Sequence, residues 1–159
     1  MPISTEMDLP IAFENKSHEA LMNVWWTANL LRKVSTKFFQ ESLSSDAQFN
    51  ILILLKDSPT PLTQKELSQK LLVDKSNITG LLDRLEKQRL IRREAVLGDR
   101  RSYHIKLTKQ GDELVTKLDK AYQKKVREIM NDLSAKDCDD LIRLTRKIRA
   151  SMRRQTNVI

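Results

Sequence analysis

The spacing of apolar residues changes once along this chain. From Leu21 to Leu85, and again from Leu114 to Met152, apolar side chains recur every three or four residues, as one face of a helix requires; between Leu90 and Leu107 they alternate. So short an alternating stretch makes a single hairpin, with strands at Leu90–Ala95 and Ser102–Leu107 about a connection at Val96–Arg101. The 159 residues hold only three glycines and four prolines. That scarcity argues against a many-stranded sandwich or barrel, which consumes a turn every 8–12 residues or so, roughly. The expectation is a mainly α fold with one small β-hairpin.

The helices can be placed from their caps. Asn15 or Ser17 heads a long helix carrying Leu21, Val24, Ala28, Leu31 and Phe38, up to about Glu41. Ser45 with Gln48 has the form of a capping box before Phe49, Leu52, Ile53 and Leu55, a run that Pro59 and Pro61 terminate. Thr63 with Glu66 repeats the box and opens a short helix through Leu67 and Leu71. Val73 and Asp74 then lead into a third helix, residues 75–88. Beyond Thr108, a second long helix carries Leu114, Leu118, Tyr122, Ile129 and Leu133. Ser134 with Asp137 caps the last one, with Leu141, Leu144, Ile148 and Met152.

The charge is concentrated in two blocks. Residues 64–109 hold twelve basic against six acidic side chains, and so do residues 117–159. An excess of this size suits a polyanionic partner. The nearly apolar run Ile51–Leu55 is far too short to cross a bilayer, and residues 1–15 carry Glu6, Asp8 and Glu14 in place of a basic start; the expectation is a cytoplasmic protein with no membrane partner. A lone cysteine, Cys138, forms no intramolecular disulfide. With His18 and His104 as the only histidines, neither a zinc site nor any other cofactor is expected.

In the 75–88 helix Ile78, Leu81, Leu82 and Leu85 share one face, while Ser76, Gly80, Asp83 and Lys87 point away from it, flanked by Thr79 and Arg84. Taken alone this is an ordinary solvated surface. The hairpin directly after it changes the reading: a short helix, a tight turn, a second helix with one polar face and a hairpin with the basic tip Gly98-Asp99-Arg100-Arg101 make a winged helix-turn-helix. In that arrangement the second helix enters the major groove, where each base pair shows its own donor and acceptor pattern. Ser76 and Thr79 reach bases or phosphates, Gly80 permits close backbone approach, and Arg84 and Lys87 suit phosphate or guanine. Arg100 and Arg101 suit a narrowed minor groove. The competing reading of the two arginines is an exposed loop in which one pairs with Asp99.

These residues resemble the MarR family of transcription regulators. The resemblance rests on Leu43-Ser44-Ser45-Asp46-Ala47-Gln48-Phe49, Leu67, Asn77-Ile78-Thr79-Gly80-Leu81-Leu82-Asp83-Arg84-Leu85-Glu86, Asp99-Arg100-Arg101 and Leu107-Thr108-Lys109-Gln110-Gly111, and covers about residues 15–153. It implies a winged helix-turn-helix lobe over residues 45–109, dimerisation helices at 15–42 and 110–154, and a polar leader at 1–14. It further implies a homodimer in which each protomer presents one lobe to half of a pseudo-palindromic operator in double-stranded DNA. The implied DNA-binding residues are Ser76, Asn77, Thr79, Gly80, Arg84, Lys87, Arg100 and Arg101. Two positions depart from the family pattern. Many members have arginine where Gly80 stands, and many have glycine where Arg89 stands, so that either a non-glycine residue takes a left-handed cap or the helix ends differently.

The family's members often respond to small phenolic or lipophilic ligands, which implies a ligand-responsive repressor. Trp25 and Trp26, with His18 two turns earlier, are the candidate pocket; adjacent tryptophans on an interface helix also serve simply as packing. The basic run Arg143, Arg146, Lys147, Arg149, Arg153 and Arg154 reads as a solvated helix face ahead of auxiliary phosphate contacts. An enzyme is the weaker alternative, since no Gly-rich phosphate loop and no nucleophile elbow is present and no catalytic residue can be named. A winged-helix module that binds protein or RNA is the other.

Overall fold

The computed structural model describes residues 12–96 and 98–156, with the backbone alone described at Lys75, Arg100, Arg101 and Thr156. Most of the expected leader, residues 1–11, lies outside the described residues. The chain divides into two compact units, one ending at Asp46 and one beginning at Ala47.

In the first unit, α1 runs from Lys16 to Phe39 and Asn15, not Ser17, is its N-cap; the Asn15 side chain accepts from the His18 backbone N–H at 2.9 Å. The helix ends two residues before the expected Glu41. The Phe39 carbonyl there accepts from the N–H groups of both Ser42 and Leu43, which turns the chain without a glycine. Ser35, Phe39 and Leu43 are buried, and Phe38 meets Phe39 edge to face with ring centroids 4.9 Å apart.

The second unit holds α2 (Asp46–Asp57), β1 (Leu62–Thr63), α3 (Gln64–Leu71), α4 (Lys75–Lys87), β2 (Ile91–Val96), β3 (Asp99–Leu107), α5 (Lys109–Ile129) and α6 (Ala135–Thr156). The three strands form an antiparallel sheet in the order β1-β3-β2, with Leu62 opposite Ile105 and Ile91 opposite Leu107. The short β1 is an addition to the expected hairpin: two residues show too little alternation to register as a strand. Phe49, Leu52, Leu67, Ile78, Leu82, Leu85, Ile91, Ile105 and Val115 form the buried core, each at most 4% exposed. The helical and alternating spacings therefore meet in one apolar interior, to which α2, α3, α4 and α5 supply buried side chains and β2 and β3 their inward residues.

Local chemistry sets the boundaries. At Thr63 the capping box closes fully: the Thr63 hydroxyl accepts from the Glu66 N–H at 3.3 Å, and the Glu66 carboxylate accepts from the Thr63 N–H at 2.7 Å. Ser134 and Asp137 repeat it at α6, with reciprocal bonds of 2.9 and 3.2 Å. The box expected at Ser45 does not form. Its hydroxyl is buried with no hydrogen-bond partner among the described residues, and Gln48 is fully buried rather than turned back to cap.

Candidate nucleic-acid interface

The α4 stripe is anchored as the spacing requires, with Ile78, Leu81, Leu82 and Leu85 at most 3% exposed. Opposite them Ser76, Asn77, Thr79, Asp83, Arg84 and Lys87 are exposed and Gly80 is half-buried. A Cβ on Gly80 would meet nothing within 4 Å, so this side of the helix is open. The six proposed DNA-binding residues of α4 thus share one accessible surface.

Both ends of α4 are held by turns that use left-handed residues other than glycine. Between α3 and α4, Leu72 adopts φ 54°, the Val73 N–H donates to the Ser68 carbonyl at 3.1 Å, and the Ser68 hydroxyl donates to the Val73 carbonyl at 2.5 Å. At the other end Arg89 adopts φ 59°, the Leu90 N–H reaches the Leu85 carbonyl at 3.0 Å and the Arg89 N–H the Glu86 carbonyl at 2.8 Å. This is a Schellman ending, so of the two possibilities at Arg89 the left-handed cap is the one realised, at about 1 kcal/mol of backbone strain. Burial of Leu85 and Leu90 beside the turn offsets that strain.

Sequence reasoning missed Arg93 and Gln64. Arg93, on β2, pairs with Glu86 and, at 2.6 Å, with Asp83, and its backbone N–H donates to Glu86 at 3.2 Å. Burial opposes its charge, but the Asp83 hydrogen bond and the two carboxylates outweigh burial and hold its pKa above the ordinary value. The pair fastens the C-terminal half of α4 to the wing. A signal existed: Arg93 alternates with buried Ile91, so a cation on that inward face of the strand needed an acidic partner. Gln64 donates from Nε2 to Thr79 Oγ1 at 2.7 Å; no sequence pattern announces that bond.

The wing differs from the expected hairpin at its tip. Val96 pairs with Asp99, so β2 and β3 are joined far more tightly than expected, and Gly98 stands before Asp99 at φ 85°, a value glycine adopts without strain. The register shifts between Ala95, opposite Tyr103, and Val96, opposite Asp99. Arg100, Arg101 and Ser102 fill that irregularity, which places the two arginines within β3 and not in the loop; their side chains lie outside the described residues. Along the wing Glu94 bridges Arg92 at 2.8 Å and Lys106 at 2.6 Å, and the Lys106 hydrogen bond leads the effects that hold its carboxyl below the ordinary range.

The base of the wing is tied to α5. Thr108 caps α5 by accepting from the Gly111 N–H at 3.0 Å, and its hydroxyl donates to the Arg89 carbonyl at 2.6 Å. Its own N–H donates to the Leu90 carbonyl at 3.1 Å. A Cβ on Gly111 would lie 2.0 Å from that carbonyl oxygen. The Leu-Thr-x-x-Gly run is therefore a docking device, in which the glycine supplies space.

On α1, Trp25 and Trp26 are exposed with ring centroids 6.0 Å apart, whereas the His18 ring packs edge to face on Phe13 at 5.5 Å. The structure brings the tryptophans together and gives the histidine another partner. Among the described residues no group of three or more His, Cys, Asp or Glu side chains could hold a metal ion, and no helix is long and apolar enough to cross a membrane.

A helix, a tight turn, a second helix with an open polar face and an antiparallel hairpin fastened to it define a winged helix-turn-helix, a class that carries a helix suited to the major groove. Residues 45–102 match the model of the MarR family. A curated relative, the HTH-type transcriptional regulator PecS of Dickeya dadantii, is 29% identical over 110 residues, covering 68% of this chain and 66% of its own length, just under two thirds. Among solved structures, AbsC, a MarR family transcriptional regulator from Streptomyces coelicolor, superposes with a TM-score of 0.79 at 23% identity over 90% of this chain and 99% of its own. Sco3205, a MarR family transcriptional regulator from the same organism solved in complex with DNA, gives 0.79 at 21% identity over 89% and 91%. The winged-helix region of this chain is thus similar to the MarR family of transcription regulators, and its fold is that of the solved MarR family structures.

Proposed function

We infer that this protein is a sequence-specific regulator that binds a pseudo-palindromic operator in double-stranded DNA as a homodimer, and that it acts as a ligand-responsive repressor. The observation that carries the reading is the exposed face of α4, with Ser76, Asn77, Thr79, Arg84 and Lys87 side by side, opposite a fully buried stripe and braced to a wing. A helix held so firmly on one side has its other side free for a groove. The basic excess of residues 64–109 supports phosphate contact. The DNA complex of Sco3205 supports the same partner by likeness.

The dimer reading draws on apolar surface that a single chain leaves uncovered. Leu21, Trp25 and Leu31 on α1, and Leu141, Leu144 and Met152 on α6, are each at least 45% exposed and recur at helical spacing. Stripes of this kind are buried when two copies associate, and a two-fold dimer sets its two reading helices against two half-sites. The effector belongs to the proposal through the family resemblance, with Trp25 and Trp26 as its apolar wall and His18 as the polar residue nearby.

Selection of bound duplexes from a random pool tests the reading. One enriched motif with two-fold symmetry is the expected result. In titrations against single-base variants of that motif, Ser76→Ala and Thr79→Ala should each alter the preferred base by about 1 kcal/mol, while Lys87→Ala lowers affinity for all duplexes with a shallower salt slope. If no motif is enriched, or if RNA or protein is bound in preference, the reading fails.

A further inference from the structure

On α6 the cations stand apart from the apolar stripe and from acidic side chains. At roughly 100° per residue, Leu141, Leu144, Ile148 and Met152 share an arc of about 80°, while Arg143, Arg146, Lys147, Arg149, Arg153 and Arg154 fill an arc of about 160° on the opposite side, with only Ile142 and Ala150 between them. All six cations are exposed. Between Leu141 and Thr156 the helix carries no carboxylate. Arg143 pairs with Asp140 at 2.8 Å; the other five cations have no ion pair among the described residues.

A charged helix face that serves only solubility mixes its signs, because like charges three or four residues apart destabilise a helix. The exposed face of α5 is built that way, with Glu113 and Glu128 on the side that carries Lys117, Lys120 and Lys124. In α6 like charges are neighbours instead, at Arg143–Lys147, Arg146–Arg149 and Arg149–Arg153. The negative end of the helix dipole accounts for Arg153 and Arg154 in the last turn. It does not reach Arg146, Lys147 and Arg149, a turn or more upstream. A face of this kind is completed by anions from outside the helix.

The run from Arg143 to Arg154 rises about 17 Å. It therefore sets one positive charge about every 3 Å of axis, against one phosphate per ~3.4 Å along each strand of a duplex. A lipid surface would instead take up the apolar stripe of a basic amphipathic helix, and here that stripe is the one the dimer proposed above covers. We propose that the basic face of α6 is a second duplex-DNA surface, which holds the phosphate backbone without regard to sequence while base reading stays with the winged-helix lobe. The proposal takes duplex DNA as the partner from the reading above, and it gives α6 a share in affinity and none in specificity.

The test compares two full-length variants of equal net charge: Arg146→Gln with Lys147→Gln and Arg149→Gln on α6, and Lys117→Gln with Lys120→Gln and Lys124→Gln on α5. Glutamine keeps the helix and removes the charge. Each variant is titrated over a range of salt with a duplex of unrelated sequence, with the selected duplex and with its single-base variants. The α6 variant should bind every duplex about 10-fold more weakly, with a slope of log affinity against log salt shallower by about 2–3 and an unchanged ranking of bases. Light scattering should give it the mass of the wild type, and its thermal midpoint should equal or exceed the wild-type value as repulsion is relieved. The α5 variant should keep the wild-type slope. Equal losses in the two variants would show bulk charge at work and overturn the proposal. An unchanged slope or a changed base ranking in the α6 variant overturns it as well. So does a lower mass, which would make these cations part of the contact between copies. Wild-type binding to phosphatidylserine vesicles that the α6 variant loses, with the duplex slope intact, would assign the face to a lipid surface and overturn the proposal too. A wild type that binds no duplex removes the reading beneath the proposal, and that outcome is seen before any substitution is made.

Discussion

At Gly111 and Gly80 the same residue type stands for opposite reasons. A methyl group at Gly111 would sit 2.0 Å from the Leu90 carbonyl oxygen, whereas at Gly80 it would meet nothing within 4 Å. Gly111→Ala should therefore push α5 off the 88–90 turn and cost about 2–3 kcal/mol. Gly80→Ala should gain about 0.5–1 kcal/mol, because alanine gives up less backbone freedom inside a helix. Denaturant titration at fixed protein concentration distinguishes them, and equal effects would show that the close approach to Leu90 is not real. A second residue-scale outcome concerns acid. The Thr63 N–H and hydroxyl both donate to the Glu66 carboxylate at 2.7 Å, and those bonds hold its pKa below its ordinary 4.5. A carboxyl with a depressed folded pKa stabilises the fold above its unfolded value and loses that contribution as pH falls through the folded one. Glu66→Gln should accordingly be less stable than wild type at neutral pH, and the difference should vanish as pH drops below 4.5. A difference that does not shrink at all as pH falls through the acid range would mean the capping box does not titrate.

At the scale of elements, α4 and the wing form one piece because Arg93 joins them, and the reading proposed for Arg100 and Arg101 gives them a different role from Arg93. Arg93 has its side chain 22% exposed and bridges Asp83 and Glu86. Arg93→Met leaves two carboxylates without their cation on the helix proposed to face the DNA. It should lower the thermal midpoint, by about 1–2 kcal/mol in stability, and weaken duplex binding together. Arg100 and Arg101 stand within β3 beside the register shift. Replacing both by alanine should weaken binding to every duplex by about 10-fold or more and leave the melt almost unchanged. The pair of measurements, melt and titration, separates the roles. If the double alanine variant binds like wild type, the wing is not a DNA element.

For the molecule as a whole, the exposed apolar positions on α1, α5 and α6 are as telling as the core. Ile129, Leu133, Leu141, Leu144 and Met152 are each more than 40% exposed, while the winged-helix core is closed within the chain. A chain built this way should associate through its terminal helices without disturbing its reading lobe. Light scattering at micromolar concentration should give twice the mass of one chain, and Leu141→Glu with Leu144→Glu should give a single chain that keeps its helical content and loses most of its affinity. Duplex affinity of the wild type should fall steeply with salt, several phosphates being neutralised at each half-site. A monomeric wild type, or salt-independent binding, would contradict the assembly.

The amino-acid order alone determined what depends on neighbours within a few residues. The helices, their apolar stripes, the caps at Thr63 and Ser134 and the single hairpin all follow from spacing and from side chains that bond three residues away, because such interactions need no knowledge of the rest of the fold. The face of α4 was readable for the same reason: Ile78, Leu81, Leu82 and Leu85 fix one side and thereby define the other. Only the tertiary structure decided the features that join distant segments. It paired β1 with β3, placed the arginines of the wing on a strand, left Ser45 without its cap, set Arg89 left-handed under Leu90, closed Gly111 onto that turn, and brought Arg93 to Asp83 and Gln64 to Thr79. Each depends on where two separate elements come to rest when a shared apolar interior closes, a position that no periodicity along a single element contains.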